Sequence, residues 1–254
     1  MSIYHDYARL YDRSGQLGFS LRMIHYLEEL LAIHPVKGQS ILDLACGTGT
    51  VAIAMTGKGW QVQGVDGSAE MLHQCKEKSP AGSNIRWSQQ DMRSFTSAKP
   101  VSLVTCLYDS LNYMLTDDDL VSVFRSVYAA LQPGGLFVFD MNTAWTLAVH
   151  WDDVTYVTDT EELTTILQST YDDHRQRATA ILICFERQGE CYNKVRERHI
   201  EQAFPLEQVA TDLANSGFKV EAQYDCFTLR AANDQNDRVL WVARKLGVDD
   251  HTSL

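Results

Sequence analysis

The sequence has 254 residues, of which 45% are hydrophobic and 22% charged, so it can form one sizeable core and has an ordinary globular composition. Its formal net charge of -11 makes a nucleic-acid partner unfavourable, because an acidic surface repels phosphate backbones. No stretch approaches the roughly 20 apolar residues of a membrane-spanning helix, and the first 30 residues lack a leader-like pattern. We therefore expect a cytoplasmic protein that has neither nucleic acid nor membrane as a partner.

The six cysteines give no sign of a metal site. None of them forms a Cys-x-x-Cys pair, and no cluster of cysteine and histidine has the spacing of metal ligands. We expect reduced, mostly buried thiols and no bound metal.

From the N-terminus to about residue 150, apolar runs and turn residues predict alternating helices and strands. The first 38 residues are predicted to be helical, because leucine and isoleucine recur at helical spacing over residues 20–33. The predicted strands are residues 40–45, 61–66, 84–91, 101–108 and 136–141. The predicted helices between them are residues 49–59, 68–78 and 116–131. This alternation predicts a mostly parallel sheet with helices on both faces.

The pattern changes after residue 150. Residues 151–204 contain β-type runs without a clear helix, in which Ile181, Ile183 and Phe185 form one apolar face. A helix at residues 205–218 and strands at 219–227 and 237–245 then resume the earlier rhythm.

These elements predict an α/β fold with a doubly wound, seven-stranded, mostly parallel sheet whose last strand is antiparallel. Residues 1–150 and 205–246 would form the cofactor-binding domain, and residues 151–204 a small inserted antiparallel β-sheet that acts as a substrate lid. Residues 247–254 would be a flexible tail.

The turn after the first predicted strand is the strongest functional signal. In the stretch ILDLACGTGT, Gly47 and Gly49 remove side chains where the backbone bends and a ligand must approach. The following helix points its free N–H groups at the same place. Asp66 ends the second strand, where a carboxylate can accept hydrogen bonds from ribose hydroxyls. The turn therefore predicts a nucleoside-bearing cofactor.

Two cofactors compete for this turn. Gly47-x-Gly49-x-x-Ala52 matches the dinucleotide fingerprint, which favours NAD and an oxidoreductase. Asp43 argues against NAD, because it would repel a pyrophosphate and attract a cationic group. The helical arm before the first strand and the further acid at Asp91 also differ from a dehydrogenase, and no Tyr-x-x-x-Lys follows the fourth strand.

Four segments in order carry five motifs that resemble those of class I S-adenosylmethionine-dependent methyltransferases, which have a Rossmann-like fold. They are residues 41–75, which carry the first two motifs, and residues 89–95, 103–114 and 131–143. Residues 4–12 (YHDYARLYD) and 204–220 resemble the lid segment and the late helix and strand of a bacterial small-molecule subgroup. The likeness covers nearly the whole chain except residues 153–195, and Ala45 departs from the glycine of many members.

The resemblance implies S-adenosylmethionine as cofactor and a role for three acids. Asp43 would hold the amino group of the methionine part, directly or through water. Asp66 would bind the ribose hydroxyls, and Asp91 would accept a hydrogen bond from the adenine amino group.

The resemblance also implies smaller contacts with the cofactor. Ala45, Gly47 and Gly49 would line the methionine part with backbone. The remaining implied contacts are the Met92 backbone at the adenine edge, Cys106 and Leu107 at the methionine end, and Tyr11 as part of the lid.

Three residues are candidates for catalysis, namely Tyr108, Asn112 and His199. The first two follow the fourth strand, where substrates of such folds approach, and histidine is a common general base. Arg198 and Arg196 either hold an acidic substrate or form a solvated strand face.

We expect methyl transfer to the nitrogen or oxygen atom of a small molecule. A non-catalytic regulatory module that binds S-adenosylmethionine and an NAD-dependent oxidoreductase remain as alternatives at this stage.

Overall fold

The structure of the protein, a computed structural model, describes residues 3–247. Its main sheet has seven strands in the order β10-β11-β5-β4-β1-β2-β3. Their bounds are β1 Ser40–Leu44, β2 Gln61–Asp66, β3 Arg86–Gln89, β4 Val101–Cys106, β5 Leu131–Asn142, β10 Phe218–Asp225 and β11 Arg238–Lys245. β11 is antiparallel to both of its neighbours, whereas the other adjacent strands run parallel. The predicted seven-stranded sheet with an antiparallel last strand is confirmed.

Helices cover both faces of this sheet. The helices within residues 3–247 are α1 Leu17–Ile33, α2 Thr50–Gly57, α3 Ala69–Lys78, α4 Asp117–Ala130, α5 Ala144–His150 and α6 Leu206–Asn215. Alternation along β5 divides the core, because Phe137 and Phe139 pack in the cluster that contains residues of α4 and α6. Leu136 and Val138 pack in the cluster that contains residues of α1 and α2. Burial on both faces explains why β5 is apolar without interruption over residues 136–139.

A second sheet of four antiparallel strands lies between α5 and α6 in the chain. Its strands are β6 Val154–Asp159, β7 Leu163–Asp172, β8 Arg177–Gln188 and β9 Cys191–Gln202, in that order. The predicted inserted sheet is confirmed. Its buried face carries the smaller residues of β8, such as Ala180 and Cys184, whereas Ile181 and Ile183 point to the half-buried face.

The prediction of a helical first 38 residues is wrong for its first part. α1 begins only at Leu17, and residues 3–16 form turns with a short 3-10 helix at Asp12–Ser14. The backbone N–H groups of Tyr4 and Tyr7 donate to the carboxylate of Glu197 on β9, at 2.8 and 3.0 Å. These donors are satisfied by the second sheet, so a continuous helix is not needed to satisfy them.

The division into a cofactor-binding domain and an inserted lid stays a prediction. Of the predicted flexible tail, residues 248–254 lie outside the described residues. No helix within residues 3–247 has the length and apolarity needed to cross a bilayer.

Candidate active site

A cavity of about 940 Å³ opens at the C-terminal ends of the parallel strands. This is the edge at which ligands bind in open α/β sheets, and the volume suits a ligand larger than a single nucleoside. One wall consists of residues 43–48, 65–68, 89–93 and 107–108, which end or follow β1, β2, β3 and β4. The facing wall includes Tyr4, Tyr11, Phe19, Tyr113, Arg198 and Ile200.

The turn after β1 has the conformation that its glycines predict. Gly47 and Gly49 adopt φ values of 55° and 79°, and Ala45 adopts 54° although it carries a Cβ atom. A methyl group on Gly49 would lie 2.8 Å from the ring of Trp87 and 2.9 Å from the sulfur of Cys75. Glycine at position 49 is therefore required by both backbone conformation and packing. The helix α2 begins directly after this turn, at Thr50.

Asp66 joins the turn after β1 to the helix after β2. Its two carboxylate oxygens accept the backbone N–H groups of Gly47 and Ser68, both at 2.8 Å. Burial raises the pKa of Asp66 to about 6, against the lowering effect of these hydrogen bonds. The carboxylate lines the cavity and is held in one orientation.

Asp43 lies deeper in the same wall and is 3% exposed. Its carboxylate accepts the hydroxyl of Thr105 on β4 at 2.7 Å. Burial raises its pKa to about 7, and the negative charge of Asp66 adds to this effect. Two buried acids with raised pKa values in one cavity are suited to a ligand that brings positive charge and hydroxyl donors.

Asp91 and Met92 line the outer end of the cavity. Asp91 accepts the backbone N–H of Arg93 and the side-chain Nε of Arg93, both at 2.9 Å. The hydrogen bond from the Arg93 side chain lowers the pKa of Asp91, so this carboxylate is ionised. Arg93 also pairs with Asp119 on α4 at 3.0 Å, which fixes the rim of the cavity.

The segment after β4 has a strained backbone conformation that is stabilised by a buried carboxylate. Tyr108 and Asp109 have φ values of 63° and 51°, a region that side chains disfavour. The buried carboxylate of Asp140 accepts both of their N–H groups, at 2.6 and 3.0 Å. Arg238 pairs with Asp109 and Asp140 and so compensates both charges. This conformation places Leu107 and Tyr108 in the cavity wall.

Tyr108 and Cys106 have different surroundings. The ring of Tyr108 stacks on Phe19 with centroids 4.0 Å apart, and its hydroxyl donates to Gln16 on the segment before α1. Cys106 is fully buried in the core and does not line the cavity, so the structure gives no support to its predicted cofactor contact.

Asn112 joins three backbone segments instead of facing the cavity. Its amide nitrogen donates to the carbonyl groups of Asn142 and Gln202, at 3.1 and 3.0 Å. Its amide oxygen accepts the N–H of Asn142 at 2.9 Å. The side chain is fully buried and ties the ends of β5 and β9 to the segment before α4.

His199 lies on β9, behind the cavity wall. Its Nδ1 is 3.0 Å from the hydroxyl of Tyr113, which does line the cavity. Burial lowers the pKa of His199 and so favours the neutral ring. The histidine contacts two residues that line the cavity, Tyr113 through this hydrogen bond and Tyr4 through ring packing with centroids 5.0 Å apart.

The N-terminal segment covers the cavity and is attached to both sheets. Tyr4 and Tyr11 line the cavity, and Ser68 donates to the carbonyl of Tyr4 at 3.0 Å. Glu186 on β8 pairs with Arg9 and Arg13 of this segment.

Several cavity and supporting residues were missed by sequence reasoning. They are Phe19, Tyr113, Asp140, Glu201 and Arg238. An acid inside the apolar run LFVFDM was the available signal for Asp140, since a buried carboxylate requires partners. No local pattern pairs it with Arg238, because 98 residues separate the two.

Comparison with known proteins agrees with the geometry. The family model described as "Methyltransferase domain" matches residues 41–135. The sequence is 33% identical over 245 residues to the putative methyltransferase YqeM of Bacillus subtilis, which covers 96% of this chain and 97% of that protein. The structure of an S-adenosylmethionine-dependent methyltransferase from Clostridium acetobutylicum matches with a TM-score of 0.85 and 26% identity, over 97% of this chain and 100% of that one. The chain belongs to the S-adenosylmethionine-dependent methyltransferases.

This methyltransferase is also similar to an enzyme with a named substrate. The dTDP-3-amino-3,4,6-trideoxy-alpha-D-glucopyranose N,N-dimethyltransferase of Streptomyces venezuelae is 29% identical over 114 residues, which are 45% of this chain and 47% of that enzyme. The cofactor of the family, S-adenosylmethionine, carries a sulfonium, an ammonium and ribose hydroxyls, and the buried acids Asp43 and Asp66 fit these groups. The alternative of NAD is therefore set aside.

Proposed function

We propose that this methyltransferase moves the methyl group of S-adenosylmethionine to a nitrogen or oxygen atom of a small-molecule acceptor. The observation that carries the proposal is the division of the cavity. Acids of the main sheet line one wall, and the residues of the N-terminal segment and β9 line the other. The cofactor fits the first wall, and the acceptor then occupies the space under the second sheet.

The proposed cofactor contacts follow the chemistry of the first wall. Asp43 binds the ammonium group, and Asp66 binds the ribose hydroxyls while two backbone N–H groups hold it in place. Asp91 and the backbone of Met92 meet the adenine. Ala45, Gly47 and Leu107 line the methionine part. Gly49 does not line the cavity and acts through the shape of the turn.

When bound, S-adenosylmethionine supplies an electrophilic methyl group, and its sulfur leaves with the electron pair of the broken bond. The protein contributes mainly position, since aligned reactants gain roughly 7–11 kcal/mol over free encounter. The aromatic residues Tyr4, Tyr11 and Tyr108 exclude water on the acceptor side.

We also propose that the acceptor carries a carboxylate or phosphate group, which Arg198 binds at the cavity mouth. Two arginines line the cavity, and Arg93 is neutralised by Asp91 and Asp119. Within residues 3–247, Arg198 has no acidic partner, although it lines the same cavity.

Calorimetry with S-adenosylmethionine and with NAD tests the cofactor site first. We expect micromolar binding of the first and none of the second. A screen of amine and hydroxyl acceptors with labelled methyl donor then tests transfer, and it begins with anionic amines such as nucleotide-linked amino sugars. A protein that binds the cofactor but methylates none of these acceptors would contradict the proposed acceptor class.

The acceptor group is tested by comparing Arg198→Ala with Arg196→Ala. Arg196 lies two residues earlier on β9 and is also exposed, but it does not line the cavity. Arg198→Ala should raise the KM of an anionic acceptor at least tenfold, and Arg196→Ala should leave it unchanged. Equal effects of the two variants would show that Arg198 acts only through general surface charge.

A further inference from the structure

A chain of hydrogen bonds runs from the cavity into the second sheet. The hydroxyl of Tyr4 is 2.8 Å from that of Tyr113, and both residues line the cavity. The hydroxyl of Tyr113 is in turn 3.0 Å from Nδ1 of His199, which is 6% exposed. The three residues come from the N-terminal segment, the segment before α4 and β9, so no single element of the fold requires this alignment.

The surroundings of His199 give the chain a direction. Its Nε2 is buried without a hydrogen-bond partner in the described part of the chain, and the nearby carboxylate oxygen of Glu197 lies 3.5 Å away. The negative charge favours the tautomer that carries its proton on Nε2. Nδ1 then accepts from Tyr113, and Tyr113 accepts from Tyr4. The lone pairs of the Tyr4 oxygen are left to face the cavity.

We propose that Tyr4, Tyr113 and His199 form a relay that removes the proton of the methyl acceptor. This inference rests on the proposed function, because it assigns the base for the same methyl transfer. As the bond between the acceptor atom and the methyl carbon forms, the acceptor's N–H or O–H proton passes to the oxygen of Tyr4. The proton of Tyr4 moves to Tyr113, and that of Tyr113 moves to Nδ1 of His199.

The charges balance along this path. The positive charge that the cofactor loses ends on the imidazolium of His199, and both tyrosines are neutral before and after the step. Glu197 stabilises the imidazolium from 3.5 Å. The proton returns to solvent by the reverse path after the product leaves.

The titratable groups around His199 agree with this role. The groups that face it are Tyr4, Tyr113, Glu197 and Asp109. Burial lowers the pKa of the His199 ring, and the negative charges of Glu197 and Asp109 oppose this lowering without reversing it. The pKa values of both tyrosines are held well above their ordinary value, chiefly by burial, so neither forms a stable phenolate. A concerted transfer that ends on the histidine avoids that phenolate.

Glu197 also links the relay to the N-terminal segment. Its carboxylate accepts the backbone N–H groups of Tyr4 and Tyr7, so the same acid that faces His199 positions the first member of the relay. The relay is therefore complete only when the N-terminal segment lies against β9.

The first test compares turnover in three variants with an acceptor from the screen above. His199→Asn keeps an acceptor near the position of Nδ1 but cannot take a proton. We expect its kcat to fall about 10²- to 10⁴-fold, with unchanged affinity for S-adenosylmethionine. Tyr113→Phe should lose as much, and the double variant should be no worse than either single one, because both changes interrupt one path. Losses that multiply would overturn the relay, as would a His199→Asn enzyme with normal kcat.

The pH profile separates a chemical role from a structural one. The wild-type kcat should fall on the acid side as His199 becomes protonated, and this limb should be absent from His199→Asn. Tyr7→Phe is the matched control, because this phenol belongs to the same aromatic cluster but its hydroxyl bonds to Ser14 and does not line the cavity. Its kcat and pH profile should match the wild type. An acid limb that persists in His199→Asn would assign the titration to another group.

A second test does not depend on any acceptor. Nitrogen-15 NMR of the protein saturated with S-adenosylhomocysteine should show His199 with its proton on Nε2, and Tyr113→Phe should shift the Nδ1 signal. A proton on Nδ1 would overturn the direction of the relay. If instead the NMR result holds but no acceptor is methylated, the proposed acceptor class fails and not the hydrogen-bond chain.

Discussion

Replacing Asp43 with asparagine should stabilise the unliganded protein while weakening its cofactor site. The pKa of this carboxyl rises to about 7 in the fold, from 3.8 in its absence, chiefly through burial. At roughly 1.4 kcal/mol per pKa unit, ionising Asp43 in the folded state costs about 4 kcal/mol. Asparagine has a similar shape, can still accept the hydroxyl of Thr105 and carries no charge. About 4 kcal/mol is therefore the upper limit of the stabilisation at pH 8.

The stabilisation expected from Asp43→Asn depends on pH. Because the folded pKa lies above the unfolded one, the protonated carboxyl favours folding below about pH 4, and this contribution is lost as the pH rises to about 7. The gain from Asp43→Asn at pH 5 should be less than half of that at pH 8. For a chain of this length, about 4 kcal/mol corresponds to a Tm increase of roughly 8–16 °C at pH 8.

Thermal unfolding at both pH values and calorimetry with S-adenosylmethionine test this prediction together. Loss of the charge should weaken cofactor binding about 10- to 150-fold, since a hydrogen bond to a charged group contributes roughly 1.5–3 kcal/mol. Asp234→Asn, at an exposed aspartate, is the control and should change neither quantity. Equal Tm shifts of Asp43→Asn at pH 5 and pH 8, or normal cofactor binding by this variant, would refute the role of the Asp43 charge.

Three further predictions follow from the same geometry. The affinity of the wild-type protein for S-adenosylmethionine should rise between pH 5 and pH 8 in calorimetry, because the two buried cavity acids ionise with pKa values of about 7 and about 6; a flat profile would contradict their roles. Arg238→Met leaves two buried aspartates uncompensated and should cost about 3–5 kcal/mol in urea unfolding. The exposed Arg230→Met should cost little, and equal losses would count against a buried network. Gly49→Ala should lower Tm and cofactor affinity more than Gly82→Ala. Both glycines have φ 79°, but only at position 49 would the added methyl group meet Trp87. Equal Tm losses would mean that the positive φ alone causes the destabilisation.

The acids proposed to bind the cofactor and the residues of the proposed relay lie in different parts of the molecule. Asp43 and Asp66 follow from the main sheet alone, because each ends a strand or precedes a turn of that sheet. Tyr4, Tyr113 and His199 meet only where the N-terminal segment packs against β9. Variants of the first group should change cofactor affinity, and variants of the second group should change turnover.

Sequence alone determined the parts of this protein that depend on neighbouring residues. The strand order along the chain, the antiparallel insertion and the glycine turn at residues 45–49 all follow from local periodicity and from the φ angles that glycine permits. Asp66 was predictable at the end of β2 because strand ends in such sheets meet at one edge.

Only the tertiary structure decided which polar side chains face the cavity. Asn112 was a catalytic candidate by position, yet it is fully buried and ties β5 to β9. His199 does not line the cavity and is hydrogen-bonded to Tyr113, which does and which is 86 residues away in sequence. The N-terminal segment was predicted to be helical, but the carboxylate of Glu197 accepts the N–H groups of Tyr4 and Tyr7. In each case a partner distant in sequence satisfied a buried polar group, and local pattern carries no information about such a partner.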